Sequence, residues 1–241
     1  MVVLLAAHNE AERIADTLSA LAEAFPVATV WVADDGSTDA TAEIARAAGA
    51  QVERCERVLG KGAAMTRAAR SALRQLSERE TRQTSGREEP VDGEPVDGET
   101  VFVLCDGDLA SSAARLGPLA DCVARGEADV AVAIFATSVG GGLGIALGFA
   151  RWAIERRCGL RMRAPISGQR ALTHDALVQV LPFARGYGME MGMTIDAVRG
   201  GFGVREIELD LAHRASGRTL RGFLHRGRQL VDFLRVFLDR R

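Results

Sequence analysis

The chain has little of what would tie it to a structural metal cluster, a disulfide scaffold or a nucleic acid. It holds four His, with no His-x-x-x-His pair and no Cys/His cluster, which argues against a structural zinc site. Its four Cys (Cys55, Cys105, Cys122 and Cys158) are widely spaced and form no Cys-x-x-Cys, so reduced, buried thiols are expected. An excess of one charge is missing too. A net charge of −2 over 241 residues gives no global attraction to nucleic acid. No basic region precedes the first apolar run, which meets His8-Asn9-Glu10 directly after Ala7. That run is expected to be a strand and not a secretory signal. The uncharged stretch 130–150 is broken by Gly140-Gly141-Gly142, Gly144 and Gly148, so a core strand, a glycine-rich loop and a helix describe it better than a membrane span. The expected location is the cytoplasm.

What the chain does contain is an alternation of buried strands and helices. Apolar content of 47% and charged content of 26% suit a soluble α/β protein with a sizeable core. Val2–Ala7, Thr29–Ala33, Gln51–Arg54, Thr100–Leu104 and Asp129–Phe135 read as strands. Helices are expected over Glu10–Phe25, Ala40–Ala48, Ala63–Leu76, and from Ser111 or Ser112 to Arg125. This order predicts a mostly parallel sheet with right-handed crossovers. Residues 77–99 are charged and carry Glu-Pro-Val-Asp-Gly twice, so they are expected to be a surface loop insertion. Beyond them, Ile166–Leu172 reads as a strand, Thr173 opens a short helix, Met189–Arg199 is a helix, Val204–Leu211 is a half-exposed strand and 219–241 is a terminal helix. The division expected is one domain over 1–218 and a basic amphipathic helix over 219–241.

Four polar loops fall where parallel strands would end: His8-Asn9-Glu10, Asp34-Asp35-Gly36-Ser37, Gly60-Lys61-Gly62 and Asp106-Gly107-Asp108. Ligands of open α/β sheets sit beyond the carboxyl ends of the strands. Together the four loops match a nucleoside diphosphate. Groups near Ala6–His8 and Asp34/Asp35 can accept from a pyrimidine N–H. Lys61, between glycines, can approach phosphate or ribose, and Asp106/Asp108 can hold a divalent cation on the diphosphate. Alone, each loop is equally a turn or a helix cap. Gly-Lys-Gly is not a Walker A loop, whose spacing it lacks.

Ala6-Ala7-His8-Asn9-Glu10, Val32–Asp39, Gly60-Lys61-Gly62 and Asp106-Gly107-Asp108, in this order, resemble the family-2 glycosyltransferases of the GT-A fold. In the second half, Pro165-Ile166-Ser167-Gly168, Pro182–Gly192, Asp196 and Ala212-His213-Arg214 are most similar to glucosyl-3-phosphoglycerate synthases. The resemblance implies a GT-A, Rossmann-like sheet flanked by helices, a UDP-linked sugar donor and an Mg²⁺ or Mn²⁺ ion. By the same resemblance, Ala7, Glu10 and Asp35 hold uracil and ribose with Ala6 and His8 beside them. Lys61 contacts the nucleotide, Asp106 with Gly107 faces the ribose, and Asp108 and His213 bind the metal. Glu190 meets the donor sugar, and Arg214 or Lys61 helps neutralise the leaving nucleotide. Retention of configuration is implied; an inverting enzyme would need a carboxylate base, for which Glu190 is the candidate.

On the acceptor side the resemblance points to Ser167, Gly168, Thr173 and Tyr187. Two departures fall there: His174 stands where the synthases carry Arg, and Ala215 where they carry Asn. Donor chemistry therefore carries over and 3-phosphoglycerate does not, while Arg170 is a further cation for a different anionic acceptor. Residues 218–241 hold seven Arg and two Asp, net +5, leaving the rest of the chain near −7. Phe223, Leu230, Leu234, Phe237 and Leu238 recur at helical spacing among those Arg. Packing on the core or on a second subunit is one reading. Docking on a membrane surface beside a polyprenyl-phosphate acceptor is the other. A nucleotidyltransferase, which would need a glycine-rich, basic first loop, and a non-catalytic nucleotide-binding module are the competing classes.

Overall fold

The computed structural model describes residues 1–85, 100–135, 144–211 and 220–240, apart from the side chains at 80, 83–85, 145 and 220–228. Seven strands form one sheet: β1 (Val2–Ala7), β2 (Thr29–Asp34), β3 (Gln51–Arg54), β4 (Phe102–Asp106), β5 (Val130–Phe135), β6 (Arg170–Leu172) and β7 (Val204–Leu209). Their spatial order is β3-β2-β1-β4-β6-β5-β7. β1, β2, β3 and β4 pair in parallel, as do β5 and β7. Only β6 runs against its neighbours, antiparallel to both β4 and β5.

Helices cover both faces, so the central strands are apolar on both sides, as parallel sheets require. Successive side chains of a strand point to opposite faces. Val3, Leu5, Val103 and Cys105 accordingly pack on α1 (Ile14–Ala24), through Ile14, Leu18 and Leu21, and on α4 (Gly117–Ala124), through Leu119. Leu4, Phe102 and Leu104 face the other way. There α3 (Lys61–Ser85) offers a small-residue ridge of Ala64, Ala68, Ala69 and Ala72, and α5 (Gly144–Cys158), α6 (His174–Val180), α7 (Met189–Arg199) and α8 (Leu220–Asp239) complete the layer. The short α2 (Thr41–Ala47) sits beside β2 and β3. Cys55, Cys105 and Cys122 are buried, Cys158 is half-buried, and all four are free thiols.

Three local expectations change. α3 continues to Ser85, so the charged stretch beginning at Ser77 opens as helix; with alternating charges it needs no apolar face to extend beyond the core. Residues 86–99, which hold the Glu-Pro-Val-Asp-Gly duplication, lie outside the described residues. The segment after Asp108 first makes a 3-10 turn, Ala110–Leu116, before α4, and Ser112 donates back to the Leu109 carbonyl instead of capping a helix. The strand expected over Ile166–Leu172 is paired only over Arg170–Leu172. The described residues of the uncharged run 130–150 fall in β5 and in the start of α5, and no described helix is long and apolar enough to cross a membrane.

Candidate active site

The carboxyl ends of β1, β2 and β4 lie side by side, with Ala7 opposite Asp34 and Ala6 opposite Asp106. This register brings the loops together before any side chain acts. Beyond the last rungs the backbone carries the pairing on: the Asp35 N–H donates to the Ala7 carbonyl and the Gly107 N–H to the Ala6 carbonyl, at 2.9 and 2.8 Å. Polar side chains then join the first two loops. Asn9 adopts φ +56, a left-handed conformation that Asn tolerates, and its side-chain oxygen accepts the Thr38 N–H at 2.8 Å. Ser37 accepts from the Asn9 N–H, and Thr41 from the Glu10 N–H.

Asp35 is the hinge between the second and third loops. Its carboxylate accepts the backbone N–H groups of Leu59 and Gly60 at 2.6 and 2.9 Å, while its own carbonyl sits 2.8 Å from His8 Nδ1. The Leu59–Gly60 turn so held delivers Lys61 to the cleft. Lys61 Nζ lies 2.7 Å from Asp106 Oδ1 and 2.8 Å from Glu190 Oε1, joining two carboxylates that the chain separates widely. Burial opposes its charge, but the Asp106 and Glu190 carboxylates outweigh that and hold the ammonium well above the usual lysine range. The other oxygen of Asp106 accepts from Gln169 Nε2 at 2.8 Å. Gly168 closes the cluster. A Cβ there would lie 2.6 Å from Lys61 Nζ and 2.8 Å from Asp106 Oδ2, so only glycine lets the backbone approach this far.

The Asp106-Gly107-Asp108 turn is braced from α1. The buried Thr17 hydroxyl donates to the Gly107 carbonyl at 2.8 Å and accepts from the Ala110 N–H at 2.9 Å, bracketing Asp108 on both sides. Ala110 itself has φ +47, rare for a residue with a Cβ, and this clamp offsets its strain. Cys105, just before the turn, is buried in the β4 core; burial, with Asp106 adding to it, pushes its thiol far above the reactive range.

An open cleft of ≈ 590 Å³, its mouth included, is lined by Ala6, Ala7, His8, Glu10, Ala33, Asp35, Lys61, Ala64, Asp106, Gly107 and Asp108. Its mix of small apolar and charged residues suits a polar small ligand. All eight residues assigned to the nucleotide lie on it. Asp106 is engaged by Lys61 and Gln169, and Asp108 is a further carboxylate on the cleft. Among the described residues no group of three or more His, Cys, Asp or Glu could hold a metal ion. The donor set nonetheless fits Mg²⁺ or Mn²⁺, hard cations often bound by one or two carboxylates plus the phosphates of a substrate. His213 and Arg214, the other metal and charge-neutralising residues expected, lie outside the described residues.

On the acceptor side the structure corrects two expectations. Arg170 is wholly buried: its guanidinium donates to the Ser167 and Pro165 carbonyls and to Thr194 Oγ1, and burial pushes it down to about 10. It braces the Pro165–Ser167 turn from beneath and presents no surface to an acceptor. Thr173 caps α6, accepting the Ala176 N–H, at the far edge of the sheet. Because β6 is antiparallel, leaving it moves the chain away from the cleft: Arg170 pairs with Leu104, but Leu172 pairs with Phe102. His174 follows Thr173 there, its ring 6.2 Å from that of Phe102, so the His-for-Arg departure does not bear on the cleft. Of the other expected acceptor residues, Gly168 lies against Lys61 and Asp106 of the cleft. Gln169 and Thr17 escaped the sequence reading. Gln169 had one available signal, a neutral polar residue inside a segment read as a buried strand; Thr17 had none.

Residues 2–76 match the family described as glycosyl transferase family 2. No curated protein matches the chain. Among solved structures it is similar to glucosyl-3-phosphoglycerate synthase from Mycobacterium tuberculosis in several liganded forms. The complex with phosphoglyceric acid is 25% identical, with a TM-score of 0.68 over 99% of this chain and 79% of that one. The complex with Mn²⁺, uridine-diphosphate and phosphoglyceric acid is 25% identical, TM-score 0.69, over 98% and 78%. The complex with Mn²⁺ and uridine-diphosphate-glucose is 26% identical, TM-score 0.67, over the same shares. The sheet order, the strand-end cleft and these likenesses agree: the chain has the fold of these glycosyltransferases, and its residues 2–76 match the family-2 model.

Proposed function

We propose that this protein moves a sugar from a UDP-linked donor to a small anionic acceptor, with a divalent cation and with retention at the sugar carbon. The observation that carries the reading is the junction of Lys61 with Asp106 and Glu190 on a cleft that Ala7, Glu10 and Asp35 also line. Such a set of groups suits a base and ribose together with a diphospho-sugar. The relatives were crystallised with Mn²⁺ and with uridine-diphosphate or its glucose ester, which supports the same assignment.

Each part has a physical task. Asp35 and the Ala6–His8 backbone offer acceptors to a uracil N–H, and Asp106, held rigid by Lys61 and Gln169, faces the ribose. A cation held by Asp108, His213 and the diphosphate would neutralise the charge that develops on the leaving group. Lys61, kept fully protonated, adds fixed positive charge at the same point and needs no reorganisation during the reaction. Glu190, at the first turn of α7 and nearly buried, is oriented by Lys61 toward the sugar. For the acceptor anion the exposed Arg185, in the loop beside Tyr187, replaces Arg170 as the candidate cation.

A second reading concerns the acceptor alone. Leu230, Val231, Leu234 and Leu238 of α8 and Trp152 of α5 are exposed, and Trp152 stacks near Phe237 at 4.9 Å. An outward apolar face on the basic end of the chain favours a lipid-phosphate acceptor at a membrane surface.

Calorimetry with UDP, with and without Mn²⁺, together with a sugar-nucleotide panel scored by UDP or GDP release, tests the reading. Metal-enhanced UDP binding and slow release of UDP are expected. Absent or metal-independent binding overturns it. Asp108→Ala and His213→Ala should each lower metal-dependent turnover by about two orders of magnitude or more, since several kcal/mol of charge stabilisation is removed. Full activity in His213→Ala would remove that residue from the metal site.

A further inference from the structure

We infer that Asp232, on α8, is a positioning residue for the cleft: it holds the Gly186-Tyr187-Gly188 turn against Lys61 and Glu190. The inference rests on the sugar-transfer reading only for its kinetic consequence.

The turn is packed between two elements that leave it little room to shift. On one side, Asp232 Oδ2 accepts the Tyr187 N–H at 3.1 Å. Gly186 has φ +60, and a Cβ on it would lie 2.1 Å from that same oxygen; a Cβ on Gly188 would lie 2.4 Å from Val236 Cγ2. α8 is therefore pressed directly onto the backbone of the turn. On the opposite side are the glycines that flank Lys61. A Cβ on Gly62 would fall 1.9 Å from the Ala184 carbonyl oxygen, and one on Gly60 would lie 3.5 Å from the Gly186 nitrogen. The segment 184–188 is thus a spacer between α8 and the Lys61 turn, and it runs straight into α7, whose first turn carries Glu190.

A carboxylate suits this post for a specific reason. It is an acceptor facing a backbone N–H, and charge-assisted hydrogen bonds are shorter and stronger than neutral ones. Asp232 is in turn steadied by Arg235 Nη1, 3.3 Å from its other oxygen. Removing the carboxylate frees the turn to move toward α8, and with it both ends of the Lys61–Glu190 bridge. Ala6, Ala7 and Asp35, which also line the cleft, are set by the pairing of β1 with β2. Asp232 thereby links the outer helix α8 to the sugar end of the site without touching a substrate.

Three proteins are compared as full-length chains: wild type, Asp232→Ala and Asp232→Asn. Asn keeps a carbonyl acceptor of the same reach. The expected result is faster amide hydrogen exchange across 184–188 in Asp232→Ala than in wild type. Its kcat for UDP-sugar turnover should be about tenfold lower, as misplaced groups lose rate even far from the chemistry. UDP affinity should fall less than kcat, and Asp232→Asn should restore kcat to within about threefold of wild type, since its carbonyl still accepts the Tyr187 N–H. Equal exchange in wild type and Asp232→Ala overturns the inference, as does a lowered exchange barrier accompanied by unchanged kcat. A loss confined to thermal stability, with kcat intact in the folded fraction, also overturns it. If wild type turns over no sugar nucleotide, the functional reading fails, and the exchange comparison alone decides whether Asp232 holds the turn.

Discussion

Gly168 is tightly constrained beside the cleft, although it bears no side chain. Its α-carbon faces Lys61 Nζ and Asp106 Oδ2 so closely that even a methyl group would displace one of them. Gly168→Ala is expected to leave the thermal midpoint close to wild type. It should lower turnover by about a hundredfold, because a misplacement near 1 Å at a reacting site costs that much. Kinetics on the purified variant, with a melting curve beside them, check this. Lys61 makes the complementary point about charge. Its pKa is raised in the folded state, so its contribution to stability is fully present below the unfolded lysine value of about 10.4. That contribution is lost only as pH rises through the higher native value. The midpoint difference between wild type and Lys61→Met should therefore be constant from about pH 6 to 9, where the unfolded lysine also stays protonated; a difference that shrinks toward pH 9 would show that the bridge titrates earlier. At this scale the sequence was informative about which residues line the cleft and silent about their partners. Lys61 between two glycines was legible as a close approach to a ligand. That it bridges Asp106 and Glu190 depends on where α7 starts in space, which local spacing does not encode.

Helix α1 offers a prediction that belongs to whole elements. Thr17 lies on its buried face among apolar residues, and its hydroxyl clamps the turn that follows β4. Thr17→Val keeps the shape and removes the hydroxyl that meets the Gly107 carbonyl and the Ala110 N–H, and also the Arg13 carbonyl of its own helix. Each buried group left unpaired costs about 1–3 kcal/mol, and for a protein of this size each kcal/mol lowers the midpoint by about 2–4 °C. A drop of at least about 4 °C is expected on that scale, with weaker metal-dependent UDP binding by calorimetry because Asp108 loses its brace; an unchanged affinity would show that the turn holds itself. The elements themselves were mostly legible. Val2–Ala7 is a strand as its apolar run predicts, Gln51–Arg54 is the short strand expected, and Met189–Arg199 is a helix as its pattern predicts. The misses have separate causes. The direction of β6 comes from its insertion between β4 and β5, and that direction carries Thr173 and His174 to the wrong edge for an acceptor. The length of α3 past Leu76 comes from charged residues that form helix without core contact.

For the molecule as a whole, the question is what the outer face of α8 meets. Its inner side is spent on the core through Phe233 and Val236 and on Asp196 through Arg240, while Leu230, Val231, Leu234 and Leu238 face outward. Leu234→Glu is expected to reduce co-sedimentation with vesicles of phosphatidylglycerol and phosphatidylcholine while leaving UDP binding intact. Vesicle binding equal to wild type would discard the lipid reading, and a doubled mass in light scattering would assign the face to a second copy. The sequence by itself determined the layered α/β architecture and the four strand-end loops, because period-two and period-3.6 apolar patterns, and polar residues placed where strands stop, are local properties. Only the tertiary structure decided the rest. It brought Asp106-Gly107-Asp108 under the brace of Thr17, buried Arg170 beneath the Pro165–Ser167 turn, and set Lys61 between two carboxylates. These contacts join residues far apart in the chain, and their geometry is fixed by strand order, strand direction and the close approach of glycines, none of which is written in any single stretch.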